Sequence, residues 1–154
     1  MIDTPHILSM PGQRTAVIRI TVPRAEIQVV MGPGYQELME TLKAQGIQPT
    51  GPWFTHHLRM NPDVFDFELG APVDASVSPA GRVTPGSLPA TRVAHTTYHG
   101  PYEGLGEAWG SFQAWMAGQA LTAADDLWEV YTAGPETGPD PATWRTDLYQ
   151  PLTS

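Results

Sequence analysis

Cysteine is absent from the 154-residue chain, which removes disulfides, thiolate metal sites and cysteine nucleophiles together and leaves the redox compartment open. Charge is scarce: 16% of residues are charged, with 8 Lys and Arg against 16 Asp and Glu, for a formal net charge of −8. A chain so poor in cations lacks what tracking a phosphate backbone requires, so nucleic acid is set aside as a direct ligand. No run of about 18 apolar residues is present to span a bilayer. The N-terminal MIDTPHILSM has neither the basic nor the apolar region of a secretory signal. The expectation is a cytoplasmic protein without membrane contact.

What replaces the missing charge is turn formers. Gly (15) and Pro (16) make up about a fifth of the chain, short of the roughly 25–30% that marks low complexity. Between them, aromatic and branched residues recur in periodic order, which argues against disorder. The length suits one compact domain, or two small modules fused around a shared core.

From Arg14 to Val22 apolar and polar residues alternate, with Ala16, Ile18, Ile20 and Val22 on one face, and Pro23 ends this first strand. Tyr35, Leu38, Met39 and Leu42 then fall at the spacing of an apolar helix stripe that stops at Gly46. The helix start is open: Ile27 to Met31 is either helical already, bent by Gly32-Pro33-Gly34, or precedes a restart there. Strands follow from Trp53 to Leu58 and, after the Asn61-Pro62-Asp63 turn, from Val64 to Val73. Residues 74 to 89, rich in Pro, Gly and Ser, read as a connector. A strand from Ala90 to Tyr98 comes next, and Gly100-Pro101 opens a helix to about Gly118 whose stripe is Leu105, Ala108, Trp109, Phe112 and Met116. A strand through Leu127 to Tyr131, a Gly- and Pro-rich loop at 134–141 and a strand from Trp144 to Leu152 complete the chain.

The order βαββ therefore occurs twice, about 14–73 and about 90–152. Gly32-Pro33 matches Gly100-Pro101, Leu38 matches Leu105, Trp53 matches Trp128, and Pro72 matches Pro151, with the spacing widening along the chain as loop insertions would make it. The expected fold is α+β, a pseudo-symmetric duplication of a βαββ unit. Neither half has enough core to stand alone, and pairing them would create a cleft, the natural place for a ligand.

Glu129 is the residue that stands out. It lies mid-strand in LWEVY, where β propensity disfavours Glu and burying an unpaired carboxylate is costly. Alternation places Leu127, Glu129 and Tyr131 on one face and Trp128 and Val130 on the other. If Trp128 and Val130 pack on the helices, Glu129 and Tyr131 face the cleft. The plainer reading is a half-exposed strand with Glu129 on its wet side. A carboxylate in an aromatic cleft suits a cationic ligand, or serves as a general acid or base. Of the aromatics, Tyr98 and Tyr131 are the better cleft candidates because each carries a polar tip. Trp109 and Phe112 read first as packing.

No local metal motif emerges, and no cofactor is expected. His56 and His57 are adjacent and point to opposite faces of a strand. His95 and His99 lie about 13 Å apart if on one face of a strand, too far to share one zinc ion. The chain has no GxSxG elbow, no P-loop and no GxGxxG after a strand. Glu26, Glu37 and Glu40 read as a solvated face.

The stretches AQGIQPTGPWFTHH, DVFDFELGAPV, YHGPYEGLGEAWGSFQAW and DLWEVYTAGPETGPDPATWRTDLYQPL, in that order and spacing, resemble the GyrI-like small-molecule-binding domain, the effector-binding domain of AraC-type and multidrug-responsive regulators. The resemblance runs from about Arg14 to Leu152 and implies a single domain over residues 1–154, with a concave channel for small cationic or aromatic compounds and two helices packed against the strands. The family's central acidic residue falls on Glu129 and its neighbouring tyrosine on Tyr131. With no room for a DNA-binding domain, the chain is similar to stand-alone members, which sequester toxins, protect gyrase, or hydrolyse cyclopropane-bearing DNA-alkylating compounds. Three expectations follow. The first is a stand-alone binder of hydrophobic, aromatic or cationic molecules, contacting them through Glu129, Tyr131, Trp128, Tyr98, His57, Trp109 and Phe67. The second is a hydrolase with Glu129 as acid or base and Tyr131 assisting. The third is a module acting through gyrase or a separate regulator.

Overall fold

The computed structural model describes residues 2–60, 63–134 and 138–153. The fold is α+β, and the chain forms two compact units, one of residues 11–90 and one of residues 1–10 with 91–154. The turn expected at Asn61-Pro62-Asp63 and the loop expected at 134–141 lie partly outside the described residues.

The first unit holds β2 (Gln13–Pro23), α1 (Ile27–Ala44), β3 (Phe54–Met60), β4 (Val64–Pro72) and β5 (Val83–Leu88). Its antiparallel strands run in the order β3-β4-β2-β5. The face of β2 with Ala16, Ile18 and Ile20 packs with Phe67 and Leu69 of β4 against Leu38 and Leu42 of α1. Full burial of each such aliphatic or aromatic side chain is worth about 1.5–3 kcal/mol. The helix runs without a break through Gly32-Pro33-Gly34. Pro33 has no N–H to offer the carbonyl of Val29, and that residue is 70% exposed, so water can take the orphaned oxygen.

The connector expected over 74–89 contains a strand. β5 pairs with β2 at the sheet edge, where Pro85 opposite Ala16 is tolerated because an edge residue need not donate outward. The segment leading to it is tied to α1: Arg82 Nη2 donates to Glu37 Oε1 at 2.8 Å, and the Gln45 amide both donates to and accepts from the Ser78 backbone at 2.8 Å. Glu37, read as solvated, is therefore an anchor.

The second unit holds β1 (His6–Met10), β6 (Thr91–His99), α2 (Leu105–Gly118), β7 (Leu127–Ala133) and β8 (Arg145–Pro151). Its antiparallel order is β1-β6-β8-β7. Ala108, Phe112 and Met116, from the expected stripe of α2, pack on Ala94, Tyr98, Leu148 and Leu152. The two units repeat one plan, with an edge strand, a first long strand, the last strand and the strand after the helix in the same lateral order. Each edge strand precedes, in sequence, the long strand of the other unit: β1 precedes β2 but pairs with β6, and β5 precedes β6 but pairs with β2. The sequence reading of βαββ missed both edge strands, because HILSM is short and VTPGSL carries Pro and Gly where alternation would be sought.

Candidate functional site

β7 positions the site in the second unit. Glu129 lies opposite Leu148 in the register with β8, and Leu148 belongs to the core under α2. Residues directly opposite on an antiparallel pair share a face, so Glu129 and Tyr131 look toward α2. This reverses the side on which the sequence reading set the helices. Trp128, not Glu129, turns away from α2; it is 1% exposed, and its ring stacks on Tyr149 with centroids 5.7 Å apart. Alternation sorts a strand into two faces but does not say which face a helix covers.

Glu129 is only 8% exposed. Its two oxygens are each held by a neutral donor: Trp109 Nε1 donates to Oε2 at 2.6 Å, and the Tyr131 hydroxyl donates to Oε1 at 2.8 Å. Among the described residues, no Lys, Arg or His forms an ion pair with it. A carboxylate offers about four lone-pair positions, so roughly half remain for a ligand. Trp109, read first as packing, packs beside Phe112 at 5.6 Å while its N–H serves the carboxylate.

Aromatic rings extend outward from Tyr131. Tyr102 meets it edge-on at 5.8 Å and lies 5.3 Å from Trp144, whose indole N–H donates to the Gly138 carbonyl at 2.9 Å. Tyr102 and Trp144 were not singled out in the sequence, where nothing in GPYEG or ATWRT signals an approach to β7.

The other candidates go elsewhere. Tyr98 is 5% exposed, and its hydroxyl donates to the Pro101 carbonyl at 2.8 Å, which locks the turn into α2. An ideal Cβ on Gly104 would collide with that hydroxyl, which explains glycine there. Burial raises the Tyr98 phenol above its ordinary pKa, with the charges of Glu103 and Glu107 adding to the effect. His57 and Phe67 belong to the first unit, where their rings lie 5.2 Å apart and His57 also meets Phe65 at 5.5 Å. The structure thus brings together Glu129, Tyr131 and Trp109 by hydrogen bonds, sends Trp128 to the opposite face, and gives Tyr98 a structural partner. Among the described residues no group of three or more His, Asp or Glu is placed to hold a metal ion. No helix of the described residues is long and apolar enough to cross a membrane.

The duplicated α+β fold is that of a family of small-molecule-binding domains. The chain belongs to the GyrI-like small molecule binding domain family, which matches residues 3–153. Among solved structures, it is similar to the EcmrR C-terminal domain with a TM-score of 0.85 at 21% identity, covering 98% of both chains. In a cryo-EM structure of EcmrR with DNA it spans 57% of the EcmrR chain and 97% of its own length, with a TM-score of 0.84 and 21% identity. SAV2435 bound to tetraphenylphosphonium gives a TM-score of 0.74 at 12% identity, over 99% of this chain and 95% of that one. A hydrolase from Listeria innocua gives 0.64 at 11% identity, over 97% and 91% respectively. No curated protein matches the chain. At these identities the likeness concerns fold.

Proposed function

We propose that the chain binds small aromatic cations, with Glu129 as the counter-charge and Tyr131 and Trp109 as its positioning donors, and serves to sequester or detoxify such compounds. The observation that carries this reading is a carboxylate 8% exposed, hydrogen-bonded at both oxygens yet paired with no cation among the described residues. A buried charge is costly unless compensated, and two neutral donors offset only part of that cost. A delocalised cation would supply the missing charge, and the rings of Trp109 and Tyr131 would add cation–π attraction. SAV2435, which shares the fold, is bound to such a cation, tetraphenylphosphonium.

A thermal-shift series tests the charge requirement. Tetraphenylphosphonium should raise the unfolding midpoint progressively with concentration, whereas neutral triphenylphosphine oxide of similar shape should raise it far less. Equal shifts, or none with the cation, would refute the reading.

The pinned carboxylate also favours a second reading, hydrolysis of an electrophilic compound such as a cyclopropanoid. With its orientation set by Trp109 and Tyr131, Glu129 has lone pairs left to take a proton from water. Ring-opened product that appears with the parent protein and disappears with Glu129→Gln would support it, and no product from the parent would dismiss it.

A further inference from the structure

On the face of the second unit turned away from α2, a row of rings crosses four strands in register. His6 of β1 lies opposite His95 of β6, which lies opposite Tyr149 of β8, which lies opposite Trp128 of β7. The aromatic contacts follow that row: His95 to Tyr149 at 4.7 Å, and His6 edge-on to His95 at 4.9 Å. The two imidazoles point nitrogens at each other, His6 Nε2 and His95 Nδ1 being 3.3 Å apart.

That separation has a chemical meaning beyond a hydrogen bond. Two nitrogens bound to one tetrahedral zinc ion at 2.0–2.1 Å stand about 3.3 Å apart. The far side of His95 is also prepared. Its Nε2 lies 3.5 Å from Asp147 Oδ1, which accepts the Thr97 hydroxyl at 2.6 Å. A carboxylate on the Nε2 side of His95, with Nδ1 facing His6, repeats the carboxylate–histidine arrangement that orients metal ligands. Tyr149 lies against the His95 ring and supports its orientation.

We propose that His6 and His95 form a two-histidine chelate for a zinc-like divalent ion, with Asp147 as the positioning residue and water completing the coordination. His6 is exposed, so the ion has an approach from solvent. On binding, the proton between the two rings passes to water while the donor ring takes one from water at its other nitrogen, so that two neutral imidazoles present His6 Nε2 and His95 Nδ1 as lone pairs. The histidines are far apart in sequence, and spacing within one segment carries no trace of the pair.

The untagged full chain, stripped of metal with a chelator, is titrated with Zn2+ by calorimetry. One ion should bind per chain. Both His6→Ala and His6→Gln should lose at least about tenfold in affinity, and Asp147→Asn should fall within the 10–100-fold loss expected for an outer partner. The Gln variant is decisive, because its amide can still donate to His95 Nδ1 but cannot serve as an imidazole ligand. His99→Ala should bind zinc like the parent, since His99 pairs with Asp3 at 3.0 Å and lies four residues further along β6. No zinc binding by the parent, or undiminished binding by His6→Ala or His6→Gln, would overturn the site and leave the contact as a hydrogen bond that ties β1 to the sheet.

Discussion

Of the two donors that hold Glu129, the Trp109 indole can only donate, whereas the Tyr131 hydroxyl can rotate and accept. Glutamine at 129 can therefore turn its carbonyl to Trp109 and its amide to Tyr131, keeping both hydrogen bonds while losing the charge. Glu129→Gln should fold normally, with stability in urea within about 1 kcal/mol of the parent, which makes it a clean probe of charge. Tyr131→Phe is a different perturbation, because it leaves a buried carboxylate oxygen without its donor. Its expected cost is about 1.5–3 kcal/mol in urea denaturation, the range for hydrogen bonds to charged groups. At this scale the sequence was informative about one residue: a glutamate between large apolar neighbours in LWEVY is out of place in an ordinary strand. Its partner Trp109 was legible only as a helix-stripe residue, since nothing in the spacing brings an indole N–H on α2 to a carboxylate on β7.

The turn between β6 and α2 depends on a tyrosine lying against glycine. Gly104→Ala would drive a methyl group into the Tyr98 hydroxyl, an overpacking expected to cost about 1–3 kcal/mol and to lower the thermal midpoint. Adding Tyr98→Phe should recover part of the loss, because the ring carbon beneath the hydroxyl lies 3.1 Å from the same Cβ, tight but tolerable. Tyr98 also bears on pH. Its folded pKa is raised by burial, so the protonated form is favoured in the native state. The stability this contributes is fully present below about pH 10, the ordinary tyrosine value, and is lost as pH rises through the folded pKa. Denaturant midpoints should fall in that alkaline window, and Tyr98→Phe should flatten part of the fall. Periodicity made the two helices and six of the strands legible. It could not say which face of β7 the helix covers, because both faces carry buried residues, Glu129 and Tyr131 on the side of α2 and Trp128 on the other.

Across the whole chain, the duplication was legible from matched landmarks, but the exchange of edge strands was not, since pairing between β1 and β6 leaves no local signature. Removing residues 1–10 should expose the edge of β6 and speed amide exchange along Thr91–His99, while β2 and β4 keep their protection. Unchanged exchange in β6 would contradict the pairing. The overall charge of −8 says little about the site, where a single carboxylate paired with no cation among the described residues carries the functional reading. That reading is tested most directly by calorimetric titration of tetraphenylphosphonium into the parent and into Glu129→Gln under identical salt. The account predicts that the variant, folded as the parent is, binds at least about tenfold more weakly, a loss of about 1.4 kcal/mol. Equal affinity in the two proteins would contradict it.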